Sequence, residues 1–194
     1  MPSDPGVTVL AALRLEALAI GGEVTCVGMG HAKAGAAAAR LADTLPSGRP
    51  VAVVGIAGGL ESSLEPGQLV VASALYPPDG SDAIALPHAD TAAAALRDHG
   101  RHVQVGAVAC STSIVHGDAR TALARGGALA VEMESVWLAR HLVGHPLIVI
   151  RAVGDTERHG FILGNLKALA ALRNLRPAIE RWGRDIAGTA TDRA

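Results

Sequence analysis

The chain has 194 residues, of which 49% are hydrophobic and 18% charged, with a formal net charge of −1. This is enough chain for one domain with a substantial core, and the composition is that of a folded protein rather than a disordered one. Aromatic residues make up only 2% and acids and bases are interspersed, which excludes a basic stripe or a stacking platform for nucleic acid.

The N-terminal MPSDPGVTVLAALRLEA carries no basic leader segment and no apolar run reaches membrane-spanning length. A cytoplasmic protein without stable membrane insertion is therefore expected. Cys26 and Cys110 both fall in apolar, strand-like runs and read as reduced core residues.

In chain order, a strand at 7–10 leads into a helix at 11–20 that contains LAALRLEALA. A strand at 24–29 then runs into GMGHAKAG and a helix at 32–44. This segment imitates a dinucleotide fingerprint, but Lys33 stands where the third glycine is needed, and the acid ending a second strand is missing. What remains is a set of small residues that bring backbone N–H groups at a helix start close to an anionic or polar group. A strand at 50–54 ends in Gly55, Ile56, Ala57, Gly58 and Gly59. That flexible backbone at a carboxyl end is either a ligand site or a tight turn. LEPGQLVVAS is a turn and a strand at 68–74, followed by a surface loop, YPPDGSDAIALPHAD, at 76–90. A helix at 90–98, a strand at 103–110, a helix at 118–124 and a strand at 129–131 come next. The chain continues with a helix at 132–143, a strand at 147–152 and a helix at 162–186, which Pro177 kinks or splits. The closing GTATDRA is expected to fray. This alternation predicts an α/β fold, with helices on both faces of a central, mostly parallel sheet, in one domain spanning 1–194.

The helix at 132–143 opens with VEMESVWL, which places two carboxylates around a methionine. Residues two apart point to nearly opposite sides of a helix, so Glu132 and Glu134 cannot share a face. Val131, Glu134, Leu138 and Leu142 form one apolar stripe at helical spacing. Glu134 inside that stripe is either a helix-start acid helped by the local dipole or, if buried, one that must be paired, protonated or bound to a ligand, because a buried lone carboxylate is costly. In LIVIRAVGDTERHG an apolar strand ends in Arg151 and, four residues on, Asp155. Such a pair is either a structural salt bridge or part of a site. No H-E-x-x-H or G-x-S-x-G spacing occurs, so neither a metal site nor a serine-hydrolase triad is expected.

Taken in order, GMGHAKAGAAAARL, VVGIAGGLESSLEPGQLVV, ALAVEMESVWLA and IRAVGDT resemble the nucleoside phosphorylase and nucleosidase superfamily over most of the chain. The resemblance implies a three-layer α/β/α fold with a mixed, mostly parallel sheet, and an enzyme that cleaves the N-glycosidic bond of a nucleoside. It implies no cofactor, with water or phosphate as the nucleophile, and a homodimer as the assembly. Residue by residue, it implies that Glu134 accepts hydrogen bonds from the ribose hydroxyls while Met133 packs against the sugar and Gly58 borders the substrate. Asp155 would be the general acid for N7 of the purine, and Arg151 would lie near the nucleophile. Ser111, Thr112 and Ser113 would hydrogen-bond the base, and Glu16 would orient an attacking water. Glu132 would turn away, bracing the loop or meeting solvent. The chain departs from the nucleosidases at Ile56, where they carry a serine.

GIAGGL, MES and LKALAALRNLRPAIERW look most like the hopanoid-associated branch, which implies release of adenine from adenosylhopane. The 5′ side of the pocket would then open onto an apolar rim that includes parts of 76–87. A methylthioadenosine/S-adenosylhomocysteine-type or futalosine-type nucleosidase is the alternative. A non-catalytic nucleoside-binding protein would have lost the proton donor or the ribose acid, and Asp155 and Glu134 are both present.

Overall fold

The computed structural model describes residues 6–156 and 161–191. Its elements in chain order are β1 (Thr8–Ala11), α1 (Arg14–Ile20), β2 (Thr25–Cys26), α2 (His31–Thr44), β3 (Val51–Gly59), β4 (Leu69–Tyr76) and β5 (Ile84–Ala85). They continue with α3 (Ala89–Asp98), β6 (Val103–Cys110), α4 (Gly117–Arg125), β7 (Ala128–Glu132), α5 (Ser135–His141), β8 (Leu147–Val153), α6 (Phe161–Leu172) and α7 (Arg176–Thr191).

All of these strands join one sheet. Parallel pairing links β1 to β2 and β3, β3 to β8, β4 to β6, and β6 to β7. Antiparallel pairing links β3 to β7, β4 to β5, and β4 to β8. The sheet is thus mixed and mostly parallel, as expected, and it also closes on itself. β3 pairs with β8 along Val51–Ala57, and its last two residues, Gly58 and Gly59, switch to β7. The path β3–β8–β4–β6–β7 therefore returns to β3, and the switch falls where the site is built.

Alternate side chains of each buried strand enter opposite layers, as the two-residue period requires. Val51, Val53, Leu147 and Val149 pack with Ala34, Ala37 and Ala38 of α2 and with Val136, Leu138 and Ala139 of α5. Ala52, Val54, Ile148 and Ile150 pack instead with Ala92 and Leu96 of α3, Leu172 of α6 and Trp182 of α7. Alanine-rich helices let the layers approach closely, so the core is dense despite having few aromatic residues.

Several expected boundaries move. The strand at 24–29 shrinks to two residues, and Gly28 at its expected end takes a positive φ of 85° that no strand residue has. The GIAGG segment continues β3 instead of forming a turn. The loop at 76–90 contains β5, which pairs with β4. The long C-terminal helix is split, but three residues ahead of Pro177. Asn174 adopts a left-handed φ of 60° between α6 and α7, and Pro177 sits in the first turn of α7, where its missing N–H costs nothing. α7 runs to Thr191, so most of GTATDRA is helical rather than frayed; its last residues, 192–194, lie outside the described residues. Cys110 is buried as expected, whereas Cys26 is exposed on the short β2. Among the described residues no helix is long and apolar enough to cross a membrane.

Candidate active site

A cavity of about 200 Å³ lies at the carboxyl ends of the strands, where open α/β sheets place ligands. Its walls come from the ends of several strands: Glu16 after β1, Met29 after β2, Gly58 on β3, Ser113 after β6, Glu134 after β7 and Asp155 after β8.

Glu16 is 3% exposed. Its two oxygens accept the backbone N–H groups of Leu13 and Ile56, both at 2.8 Å. The carboxylate therefore joins the start of α1 to β3. It can reach β3 only because residue 55 is glycine. A Cβ at Gly55 would stand 2.8 Å from Glu16 Oε1 and 2.5 Å from Arg151 Nη1.

The VEMES segment is arranged differently from the helical reading. Glu132 ends β7 and α5 begins only at Ser135, so the two acids do not share a helix at all. Glu132 does brace the loop, but it is 5% exposed and does not meet solvent. Its carboxylate accepts the N–H groups of Glu134 at 3.0 Å and Ser135 at 2.9 Å, and the Ser135 hydroxyl at 3.0 Å. The Cys110 thiol and the Arg151 guanidinium also donate to it. This cluster ties the end of β7 to β6 and β8. Burial first, and then the charge of Glu132, push the Cys110 thiol well up, so it acts here as a hydrogen-bond donor.

Glu134 follows as the residue before α5. Its Oε1 accepts the N–H of Gly30 at 2.8 Å. The small-residue turn GMGH thus offers its backbone donor to a carboxylate of the protein itself. Burial first, then the charges of Glu132 and Glu16, push the Glu134 carboxyl up to about 7, against the opposing pull of Arg151 and the Gly30 N–H. Arg151 lies beneath the cavity at 1% exposure, bonded to Glu132 and, at 2.8 Å, to Ser135 Oγ. Its Nη2 is 3.9 Å from Glu134 Oε2. Burial alone would lower its guanidinium, but Glu132, Glu134 and Glu16 together hold it above its ordinary value.

Asp155 lines the same cavity. Its Oδ2 accepts a hydrogen bond from Arg120 Nη1 at 2.7 Å. Its Oδ1 lies over Gly58, 3.3 Å from where a Cβ would be, so a side chain at 58 would crowd the acid.

The structure therefore brings Glu16, Glu134, Met133, Gly58, Ser113 and Asp155 to one cavity. It leaves out three of the expected site residues. Arg151 supports the floor without lining the cavity. Ser111 turns inward, its hydroxyl donating to Ser113 O at 2.7 Å and accepting from Ser113 N–H at 3.2 Å, so it shapes the loop. Thr112 is exposed and does not line the cavity. No residue of 76–87 borders the cavity; its exposed apolar lining is instead Leu13, Met29 and Ile114. That segment is held elsewhere, with Asp79 paired to Arg140 at 2.8 Å.

Sequence reasoning missed Arg120, His116 and Asn165, all of which line the cavity. In HGDARTALARGG nothing distinguishes Arg120 from Arg125; only the register of α4 on β7 does. Among the described residues no group of three His, Cys, Asp or Glu is placed to hold a metal ion. Among the described residues the walls carry four carboxylates, Glu16, Glu132, Glu134 and Asp155, and one arginine, Arg120, which is already committed to Asp155. Such walls favour a neutral, hydroxyl-bearing ligand with a developing positive charge, and disfavour an anion.

A family model described as the phosphorylase superfamily matches residues 21–170. Comparison with curated proteins finds no match. Solved structures similar to this chain include the 5′-methylthioadenosine/S-adenosyl homocysteine nucleosidase of Campylobacter jejuni. It is 14% identical with a TM-score of 0.77, over 91% of this chain and 97% of that one. The corresponding Neisseria meningitidis enzyme, in complex with methylthio-immucillin-A, is 21% identical with a TM-score of 0.73, covering 91% and 96%. A futalosine hydrolase mutant of Helicobacter pylori is 16% identical with a TM-score of 0.74, covering 92% and 98%. At these identities the likeness is one of fold.

Proposed function

The chain belongs to the phosphorylase superfamily, and from that premise we propose that it hydrolyses the N-glycosidic bond of an adenine-bearing nucleoside. The carrying observation is the convergence of Glu16, Glu134 and Asp155 on one cavity from three separate strand ends. In this reading Glu134 accepts hydrogen bonds from the ribose hydroxyls and stabilises the cationic sugar, and Met133 packs against its ring. Water attacks C1′ and passes its proton to Glu16. The C1′–N9 electron pair stays with the base, which takes a proton at N7 from Asp155. Proton transfer of this kind supplies roughly 10²–10⁴ in rate.

Water is favoured over phosphate as nucleophile because four carboxylates line the cavity and Arg151 is spent on Glu132 beneath it. A phosphate dianion would meet Glu16 and Glu134 there, with the described arginines nearby already engaged by Asp155 and Glu132.

The 5′ substituent is read as a large apolar group, adenosylhopane being the proposed substrate. Leu13, Met29 and Ile114 support this, since they line the cavity and are also 40%, 54% and 63% exposed. They give the cavity an apolar mouth where a small closed pocket would suit a short 5′ group. The proposed setting is cytoplasmic and the assembly a homodimer. Adenine release from nucleosides carrying short and long 5′ alkyl groups tests the substituent. Turnover that persists or rises with chain length supports the lipid reading. Turnover confined to short groups favours a methylthioadenosine-type nucleosidase.

A further inference from the structure

Arg120 reaches Asp155 from α4, a helix that buries no residue of its own. Its guanidinium makes three hydrogen bonds. Nη1 donates to Asp155 Oδ2 at 2.7 Å, and Nη2 donates to Gly59 O at 2.6 Å and Asp155 O at 3.0 Å. The two backbone acceptors fix the guanidinium plane independently of the carboxylate, and the side chain is only 13% exposed. A planar fork clamped in this way is pre-organised in a manner a lysine is not. Arg120 also lines a second cavity, of about 140 Å³, together with Leu60, Ser62 and Thr121. It is therefore the wall between that space and the site.

We infer that Arg120 is a positioning residue for departure of the base, acting through Asp155; this rests on the hydrolase reading above. Because Oδ2 is held by Nη1, Oδ1, the oxygen over Gly58, is the one left to carry the proton for N7 when Asp155 acts as the acid. As the Oδ1–H bond breaks and the proton moves to N7, negative charge appears on Asp155 beside a fixed cation. That interaction is stronger in the transition state than in the ground state, which is the condition for accelerating the step. No oxidant or further reactant is involved. The proton leaves Asp155, the base keeps the C1′–N9 electron pair, and the sugar receives the water oxygen.

The test compares two leaving groups. 5′-Methylthioadenosine needs a proton on its departing base, whereas p-nitrophenyl β-D-ribofuranoside releases a stable phenolate without one. Relative to wild type, Arg120→Ala should lose about 10²-fold in kcat on the nucleoside, as a lost general acid does, and stay within a few-fold on the nitrophenyl riboside. Asp155→Asn should show the same split. Arg120→Lys, which retains charge without the fork, should recover about tenfold over the alanine variant on the nucleoside alone. Equal losses on both substrates would make Arg120 merely structural and overturn the inference, as would no loss on either or no recovery by lysine. Wild-type protein that cleaves neither these substrates nor any longer 5′-alkyl adenosine would overturn the hydrolase reading itself, a different result from an active wild type with unsplit variants.

Discussion

Glu134 sets the behaviour of the site at the scale of single residues. Its carboxyl titrates at about 7 rather than near 4.5, and accepting two ribose hydroxyls calls for the ionised form. We therefore expect kcat/KM to show a limb that rises with pH through about 7. Glu134→Gln should lose most activity and flatten that limb, and a wild-type profile that is flat from pH 5 to 8 would contradict the assignment. The linked stability runs the other way. A carboxyl raised in the folded state stabilises most below its unfolded value, and that contribution is lost as pH rises through about 7. The sequence alone marked Glu134 because it interrupts an apolar stripe and left open a helix-start acid; the structure buries it, just ahead of a helix that begins later. Arg120 was not legible. Its role depends on where α4 comes to rest against β7, and no local pattern encodes that.

At the scale of elements, the buried strands were readable because β-branched runs bounded by glycine and proline leave little else for them to form. The errors fall where tertiary contacts override local pattern. Glu132 looked like the first residue of a helix, but its carboxylate gathers Cys110, Ser135 and Arg151 and so belongs to the end of β7. Gly58 and Gly59 looked like a loop and instead carry β3 across from β8 to β7, closing the sheet. α1 and α6 present a further feature at this scale. Leu15 and Leu18 on α1 are 63% and 77% exposed, and Leu163 and Leu166 on α6 are 74% and 60% exposed. Leucines grouped on neighbouring helices form the kind of apolar face that subunits cover. Sedimentation velocity at micromolar concentration should show a dimer, and replacing Leu18 and Leu163 by Glu should shift it toward monomer. A wild-type protein that sediments only as monomer would contradict the homodimer.

For the whole molecule, the topology gathers acids that lie far apart in the chain, Glu16 and Asp155, at the carboxyl ends of the strands of a closed sheet. Four ordered motifs made the fold and the main carboxylates legible, whereas the apolar mouth at Leu13, Met29 and Ile114 could not be placed before the chain was folded. In the proposed reaction these carboxylates direct water to C1′ of a nucleoside. It is tested most directly by incubating the purified protein with 5′-methylthioadenosine and with longer 5′-alkyl adenosines, with and without inorganic phosphate, and identifying both products. That reaction yields free adenine and a sugar bearing a 1-hydroxyl, at rates unchanged by phosphate. A sugar 1-phosphate formed only when phosphate is added, or no adenine from any nucleoside of the series, would contradict it.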